Sequence, residues 1–427
     1  MTMNRHGRKQ TILMFPWLGH GHISPFLELS KKLINTNLFD IYICSTPANL
    51  NSIKKPFGKE YGSAIQLIEL HLPTLPELPP ELHTTNGLPP HLMPVLKKAF
   101  DMASDRFARV MKTLQPDLLI YDIIQPWAPV AAAALEIPSL VFITTSAAAT
   151  MVHFHLSTRT GIALPFPKIY YRSYEYARIL KSLENKDKEK DLVMECVNRS
   201  SGLVLVKSFK DIEGKYCDYL SVLTDKKIVP VGPLVADPSP VEDVKQNSVI
   251  QWVDTKATGS TVFVSFGSEY FLSNDDLEEI AYGLELSNVN FIWVLRFPKV
   301  DQRKLSLSEA LPFGFLERPI NARLVEEVGI GVEVVRDENG RLSREKMAAV
   351  VQHVVASKSG EVVREKAKKM SADLSVKGEE EIDAVVVELL QLCRRGGGGG
   401  RRRRSEIKKT KSEAIAIGPY CAVKGEV

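Results

Sequence analysis

The sequence predicts an α/β protein made of two doubly wound units in tandem, and three observations carry that expectation. Short apolar runs recur along the chain, each followed by a helical pattern, as parallel strands joined by crossover helices require. The length of 427 residues exceeds what one hydrophobic core usually organises. A polar, proline-containing stretch at 236–250 divides the runs into two sets, so residues 1–235 read as one unit, 236–250 as a linker and 251–393 as a second, shorter unit.

In the first unit, residues 11–15 (TILMF) are apolar and closed by Pro16, which reads as a buried strand. Glycine-rich residues 19–25 then form a turn. A helix follows from about Phe26 to Leu33, its Leu27, Leu29 and Leu33 on one side and Glu28, Lys31 and Lys32 on the wet side. Further strands are predicted at 40–44, 63–68, 117–121 and 140–143, with helices between. Residues 73–94 hold seven prolines, a density that forbids regular structure and suits either a binding loop or a plain connector. The second unit opens with a strand at 261–265, the turn Phe266-Gly267-Ser268 and a helix capped by Ser273. It continues with a strand at 290–295, a helix at 320–328 ending at Gly329, a strand at 331–335, a turn at 337–340 and helices from Ser343 and Glu361.

Candidate chemistry sits at the strand ends. In open α/β sheets ligands bind outside the carboxyl ends of strands, so His20 and His22, just past the first strand, face a crevice. Asp122 ends the strand 117–121 at the same edge. A carboxylate bonded to one imidazole nitrogen fixes the tautomer and lets the other nitrogen act as a general base. Asp122 fits the N-cap of the following helix equally well, and His22 alone fits a structural histidine.

Other chemistries find little support. His153 and His155 are two apart, which matches no zinc spacing, so no metal site is expected. Neither G-x-G-x-x-G nor G-x-x-x-x-G-K-[ST] occurs, which disfavours a nicotinamide-binding oxidoreductase and a P-loop NTPase. Five scattered cysteines suit reduced thiols, and neither a signal peptide nor a spanning apolar stretch is visible, so a cytoplasmic protein without membrane contact is expected. The net charge of +4 belongs to the tail: from Arg394 onward ten Lys or Arg stand against three Glu, leaving residues 1–393 at about −3. That Gly/Arg-rich tail, 394–427, reads as disordered, and with no interleaved aromatics no nucleic-acid partner is expected.

Six ordered motifs then give a resemblance. FPWLGHGHISP at 15–25, DLLIYD at 117–122, VGPL at 231–234, QWVDTK at 251–256, VFVSFGS at 262–268 and FIWV at 291–294 resemble the plant family-1 UDP-glycosyltransferases of the GT-B fold over residues 10–393. Within them the chain most resembles the branch that extends the sugars of flavonoid or terpenoid glycosides. The resemblance implies two Rossmann-like domains, acceptor-binding then donor-binding, working as a monomer on a small-molecule acceptor and a UDP-sugar such as UDP-glucose, with no other cofactor. It also implies His22 as catalytic base, Asp122 as its orienting acid, and Gly267 and Ser268 beside the donor diphosphate. Gly21 and Trp127 fall on the acceptor side, although core packing suits Trp127 as well.

The chain departs from this family at one place. A signature box of about forty residues, which in the family supplies the uracil-stacking, ribose-binding, diphosphate-binding and sugar-binding groups, is missing: LPFGFLER at 311–318 runs straight into PINARLV at 319–325, and neither WAPQ nor HCGW occurs. A skipped exon or faulty gene model would leave such a join. At least two strands and two helices of the second sheet go with the box, and the elements beside them are expected to expose apolar surface. Two readings follow: a UDP-dependent glycosyltransferase with a damaged donor site, or a non-catalytic protein that binds small molecules in the acceptor cleft.

Overall fold

The computed structural model describes residues 8–54, 64–177, 187–235, 248–267, 272–295 and 317–396. The first unit contains β1 (Gln10–Phe15), α1 (His20–Asn35), β2 (Phe39–Ser45), α2 (Pro47–Lys54), β3 (Ile65–Glu69), α3 (Met93–Asp101), α4 (Ser104–Leu114) and β4 (Leu118–Tyr121). It continues through α5 (Ala128–Ala133), β5 (Ser139–Ile143), α6 (Ala147–Thr158), α7 (Asp187–Arg199), β6 (Leu203–Val206), α8 (Lys210–Thr224) and β7 (Lys227–Pro230). The seven strands form one sheet in the order β3-β2-β1-β4-β5-β6-β7, every pairing parallel.

Strand order reverses between β1 and β4, which pair from Ile12 opposite Leu118 to Phe15 opposite Tyr121. Such a switch point leaves a crevice at the carboxyl ends of the strands, because the helices on its two sides diverge. Both faces of the sheet are covered. Leu13 and Phe15 join one hydrophobic cluster with Phe100, Phe107 and Val141, while Ile12 and Met14 join the other with Phe26 and Phe142. This two-sided burial is why the strands read as continuous apolar runs and not as alternating ones.

The second unit holds α9 (Ser248–Asp254), β8 (Thr261–Val264), α10 (Asn274–Leu286), β9 (Asn290–Trp293), α11 (Glu317–Val328), α12 (Arg344–Ala356) and α13 (Lys358–Gly396). Among the described residues β8 and β9 pair only with each other, in parallel. As the missing segment leads one to expect, apolar surface is bare around them. Phe263 on β8 is 67% exposed, and Trp252 and Phe291 line an open cleft of about 290 Å³. The far half of α13 crosses back to the first unit, where Ile382, Val385 and Leu389 share the cluster of Ile12 and Val231.

Several sequence expectations need correction. The first helix begins at His20, not Phe26; Gly19 is its N-cap and Pro25 lies inside it. Residues 331–335 form no strand, because extended backbone becomes a strand only against a neighbour and the sheet they would join has two members. Proline-rich residues 73–94 contain single 3₁₀ turns at Pro80–Leu82 and Pro90–Leu92, and α3 opens with Pro94 in its first turn, where a proline costs no hydrogen bond. Strand β6 was not anticipated. Helix α13 continues past Cys393 to Gly396, and the rest of the expected tail, like Ser63 and residues 236–247 of the expected linker, lies outside the described residues.

The two units are joined through α11. Ile320 and Leu324 enter the aromatic-rich cluster of the first unit, and the hydroxyl of Ser146 donates to Asn321 Oδ1 at 2.6 Å. Beside them is a buried ionic cluster. Arg323, 3% exposed, donates to both oxygens of Glu175 at 2.7 and 2.8 Å and to the carbonyl of Tyr170, and its guanidinium lies over the Tyr170 ring, 4.6 Å from the centroid. Arg172 pairs with both oxygens of Glu333 at 2.6 and 2.8 Å. Removing one partner from a buried ion pair strands the other charge in low dielectric. Arg323→Ala is therefore expected to cost about 3–5 kcal/mol, read as a lower urea midpoint with the change concentrated in the transition that separates α11 from the first unit.

A second buried carboxylate reports on pH. Glu213, in the first turn of α8, accepts from the backbone N–H of Ala148 at 2.9 Å and from Ser208 Oγ at 2.7 Å, while Ser146 Oγ caps the same α6 terminus through the Ala149 N–H. Burial raises the Glu213 carboxyl above the ordinary glutamate range; its hydrogen bonds oppose the shift without cancelling it. The folded group thus holds its proton to higher pH than the unfolded one. Its stabilisation is complete below the unfolded value and fades as pH rises through the folded one. Glu213→Gln is expected to flatten this part of the stability-versus-pH curve above the ordinary glutamate range, as measured by thermal unfolding in a pH series.

Candidate active site

The crevice at the β1/β4 switch point is built from three strand ends, those of β1, β4 and β5, and one helix start. β1 runs into Pro16, Trp17 and Leu18, and Gly19 turns the chain into α1 without any side-chain cap. His20 and Gly21 are exposed in the first turn, and a Cβ on Gly21 would meet nothing within 4 Å, so open space lies over this terminus. His22 comes next, with 11% of its side chain accessible.

Asp122 follows β4 directly and is fully buried. Its Oδ1 accepts the N–H of Ile123 at 2.8 Å, and its Oδ2 accepts the N–H of Trp17 at 3.2 Å. The same Oδ2 lies 2.9 Å from Nδ1 of His22. A buried carboxylate survives as an ion only when its lone pairs are met by donors, and here two backbone N–H groups already meet them. The carboxylate is therefore an acceptor toward the histidine, which places the ring hydrogen on Nδ1 and makes Nε2 the basic nitrogen. Asp122 is not a helix N-cap, because the next helix, α5, starts at Ala128 with Trp127 at its N-cap position; the bond from the Ile123 N–H instead helps to hold the carboxylate in place for His22.

The remaining sequence candidates are placed less centrally. Gly267 has φ of +85°, a left-handed conformation suited to glycine, and Arg318 of α11 donates to the carbonyl of Phe266 beside it at 2.7 Å. Ser268 lies outside the described residues. Trp127 is half-buried in an aromatic cluster, its ring centroid 5.5 Å from those of Phe15 and Phe107, and its Nε1–H donates to Asp101 at 2.9 Å. This is the core-packing role considered for it. His155 is structural, with Nε2 donating to the carbonyl of Ile162 at 2.8 Å and the Tyr219 hydroxyl donating to Nδ1 at 2.9 Å.

Sequence reasoning missed Thr144. It follows β5 at the same sheet edge, and its Oγ1 lies 3.1 Å from Nδ1 of His22. The signal was available, since the strand at 140–143 was anticipated and the residue after its end is a hydroxyl. Among the described residues no group of three or more His, Cys, Asp or Glu is gathered to hold a metal, and no helix is long and apolar enough to cross a membrane.

Comparisons with known proteins give the family and the fold. The family model for the glycosyltransferase N-terminal domain matches residues 9–236. UDP-glucosyltransferase 29 of Panax ginseng is 44% identical, covering 92% of this chain and 98% of that protein. The beta-D-glucosyl crocetin beta-1,6-glucosyltransferase of Gardenia jasminoides is 42% identical, covering 89% of this chain and 98% of its own length. The alignment to the ginseng protein runs over 442 positions yet takes in 92% of the 427 residues here, so about fifty positions of that protein have no counterpart in this chain. The fold matches the crystal structure of Glycyrrhiza uralensis UGT73P12 complexed with glycyrrhetinic acid 3-O-monoglucuronide, with a TM-score of 0.72 at 18% identity over 91% of this chain and 97% of that one.

Proposed function

Because this chain belongs to the plant family-1 UDP-glycosyltransferases, we propose that it moves a hexose, glucose in the first instance, from a UDP-sugar to a hydroxyl of a plant secondary metabolite or its glycoside. The observation that carries the proposal is the 2.9 Å contact between His22 Nδ1 and the buried Asp122 at the switch point of the sheet. The glycoside acceptor is supported by relatives such as the Gardenia jasminoides enzyme, whose name specifies a glucosylated substrate.

The proposed chemistry follows from the tautomer. Nε2 of His22 takes the proton of the acceptor hydroxyl as its oxygen attacks the anomeric carbon. The bond from that carbon to the UDP oxygen breaks, UDP leaves with the electron pair, and the configuration inverts. Asp122 stabilises the imidazolium while the proton resides there. Gly21 leaves room for the acceptor, and the donor diphosphate is assigned, by family resemblance, to Gly267 and Ser268. Residues 1–235 supply the acceptor half and 251–393 what remains of the donor half. The same proposal has the chain acting as a cytoplasmic monomer without a metal or a further cofactor.

Donor affinity is the weak point, since the segment that would hold the uridine and sugar is missing. Purified protein incubated with UDP-glucose and a panel of glycoside acceptors is expected to release UDP slowly, with release abolished by His22→Ala and reduced at least a hundredfold by Asp122→Asn. Absence of release from the wild-type chain and from His22→Ala alike counts against transfer and in favour of a cleft that only binds. Calorimetric titration with UDP-glucose is expected to give binding weaker than about 1 mM, near −4 kcal/mol; a micromolar constant would show that the donor site survives the loss.

A further inference from the structure

We infer that Thr144 is a positioning residue for His22: its hydroxyl oxygen is a second acceptor for the Nδ1–H bond, and it holds the imidazole in the tautomer that general-base chemistry needs. The inference deepens the proposed function and rests on the reading of His22 as the base. Thr144 stands one residue past β5, the strand next to β4, so three adjacent strands contribute to the same imidazole: β1 through α1, β4 through Asp122 and β5 through Thr144.

The direction of the bond follows from counting hydrogens. Asp122 accepts two backbone N–H groups and is an acceptor toward the ring, so Nδ1 carries the hydrogen. A nitrogen that carries a hydrogen in the ring plane has no lone pair there to accept from a hydroxyl. At 3.1 Å, Thr144 Oγ1 therefore shares the Nδ1–H with Asp122 Oδ2 at 2.9 Å, in a three-centre bond. Two acceptors on different strands restrict the ring more than one does, because a rotation that keeps the contact to Asp122 must still break the contact to Thr144. The oxygen dipole also favours the imidazolium that forms during transfer, for which Nδ1–H is again the donor.

Two-bond 1H–15N correlation spectra of the histidine rings test this without requiring turnover, with the His22 signals assigned by their loss in His22→Gln. At a pH where the imidazoles are neutral, the wild-type chain is expected to show His22 protonated on Nδ1. Thr144→Val, close to isosteric, is expected to raise the Nε2-protonated share several-fold, and Thr144→Ser, which keeps the oxygen, to restore the wild-type pattern. A Thr144→Val spectrum identical to wild type overturns the inference. So does a Thr144→Ser spectrum displaced as far as that of Thr144→Val, since the methyl group and not the oxygen would then matter. Either result leaves the assay of UDP release to decide the role of His22 on its own.

Discussion

The burial of the Asp122 carboxylate is the constraint on which the rest of the site depends. Taking an isolated carboxylate out of water costs several kcal/mol at least, and the cost is offset only when donors are aimed at its oxygens. Those donors come from elements far apart in sequence: Trp17 after β1, Ile123 after β4 and the ring of His22 in α1. Each is held by its own strand or helix, so the pairing of β1 with β4 is itself a condition for these hydrogen bonds to form. The aromatic layer of Phe15, Phe100, Phe107 and Trp127 closes this region, with Phe15 and Phe107 stacked at 4.1 Å between centroids.

Much of this architecture was legible in the sequence because a parallel sheet buried on both faces writes its strands as apolar runs. The runs at 11–15, 40–44, 117–121 and 140–143 lie within one or two residues of β1, β2, β4 and β5. Strand-end logic alone paired His22 with Asp122. β6 escaped notice although Leu203, Val204, Leu205 and Val206 form just such a run after Ser200, Ser201 and Gly202. The start of α1 was illegible for a different reason. Gly19 offers no side-chain cap, and Gly21 and Pro25 both argue against helix, yet the packing of Phe26, Leu29 and Leu33 beneath the sheet overrides those local preferences.

Residues 331–335 teach the opposite lesson. Gly331, Val332, Glu333, Val334 and Val335 have the composition of a strand, but a strand is a relation between segments, and among the described residues nothing pairs with them. The backbone that would have entered a ladder runs as an irregular segment instead, and Glu333 from that segment completes the part-buried pair with Arg172. The ionic cluster of Arg172, Glu175, Arg323 and Glu333 thus fixes to the first unit a region that a sheet of its own would otherwise organise. Such pairs contribute little net stability, although their geometry is specific, and specificity of docking is what a depleted unit most lacks.

The consequences of the missing segment are therefore unequal across the molecule. The His22–Asp122 pair rests on β1, β4 and β5 of the seven-stranded sheet and on α1 packed against it, between two hydrophobic clusters. In the second unit β8 and β9 pair only with each other among the described residues, and Phe263 and Trp252 are exposed. The seam between the units does not follow the loss, because α11 and the far half of α13 are packed into the first unit's core. A chain whose histidine and carboxylate meet at the strand ends of one sheet can keep that pair whatever happens to another sheet, since the contacts that set the histidine tautomer are local to a few strand ends. The geometry of the His22–Asp122 pair is in this chain independent of the state of the second sheet.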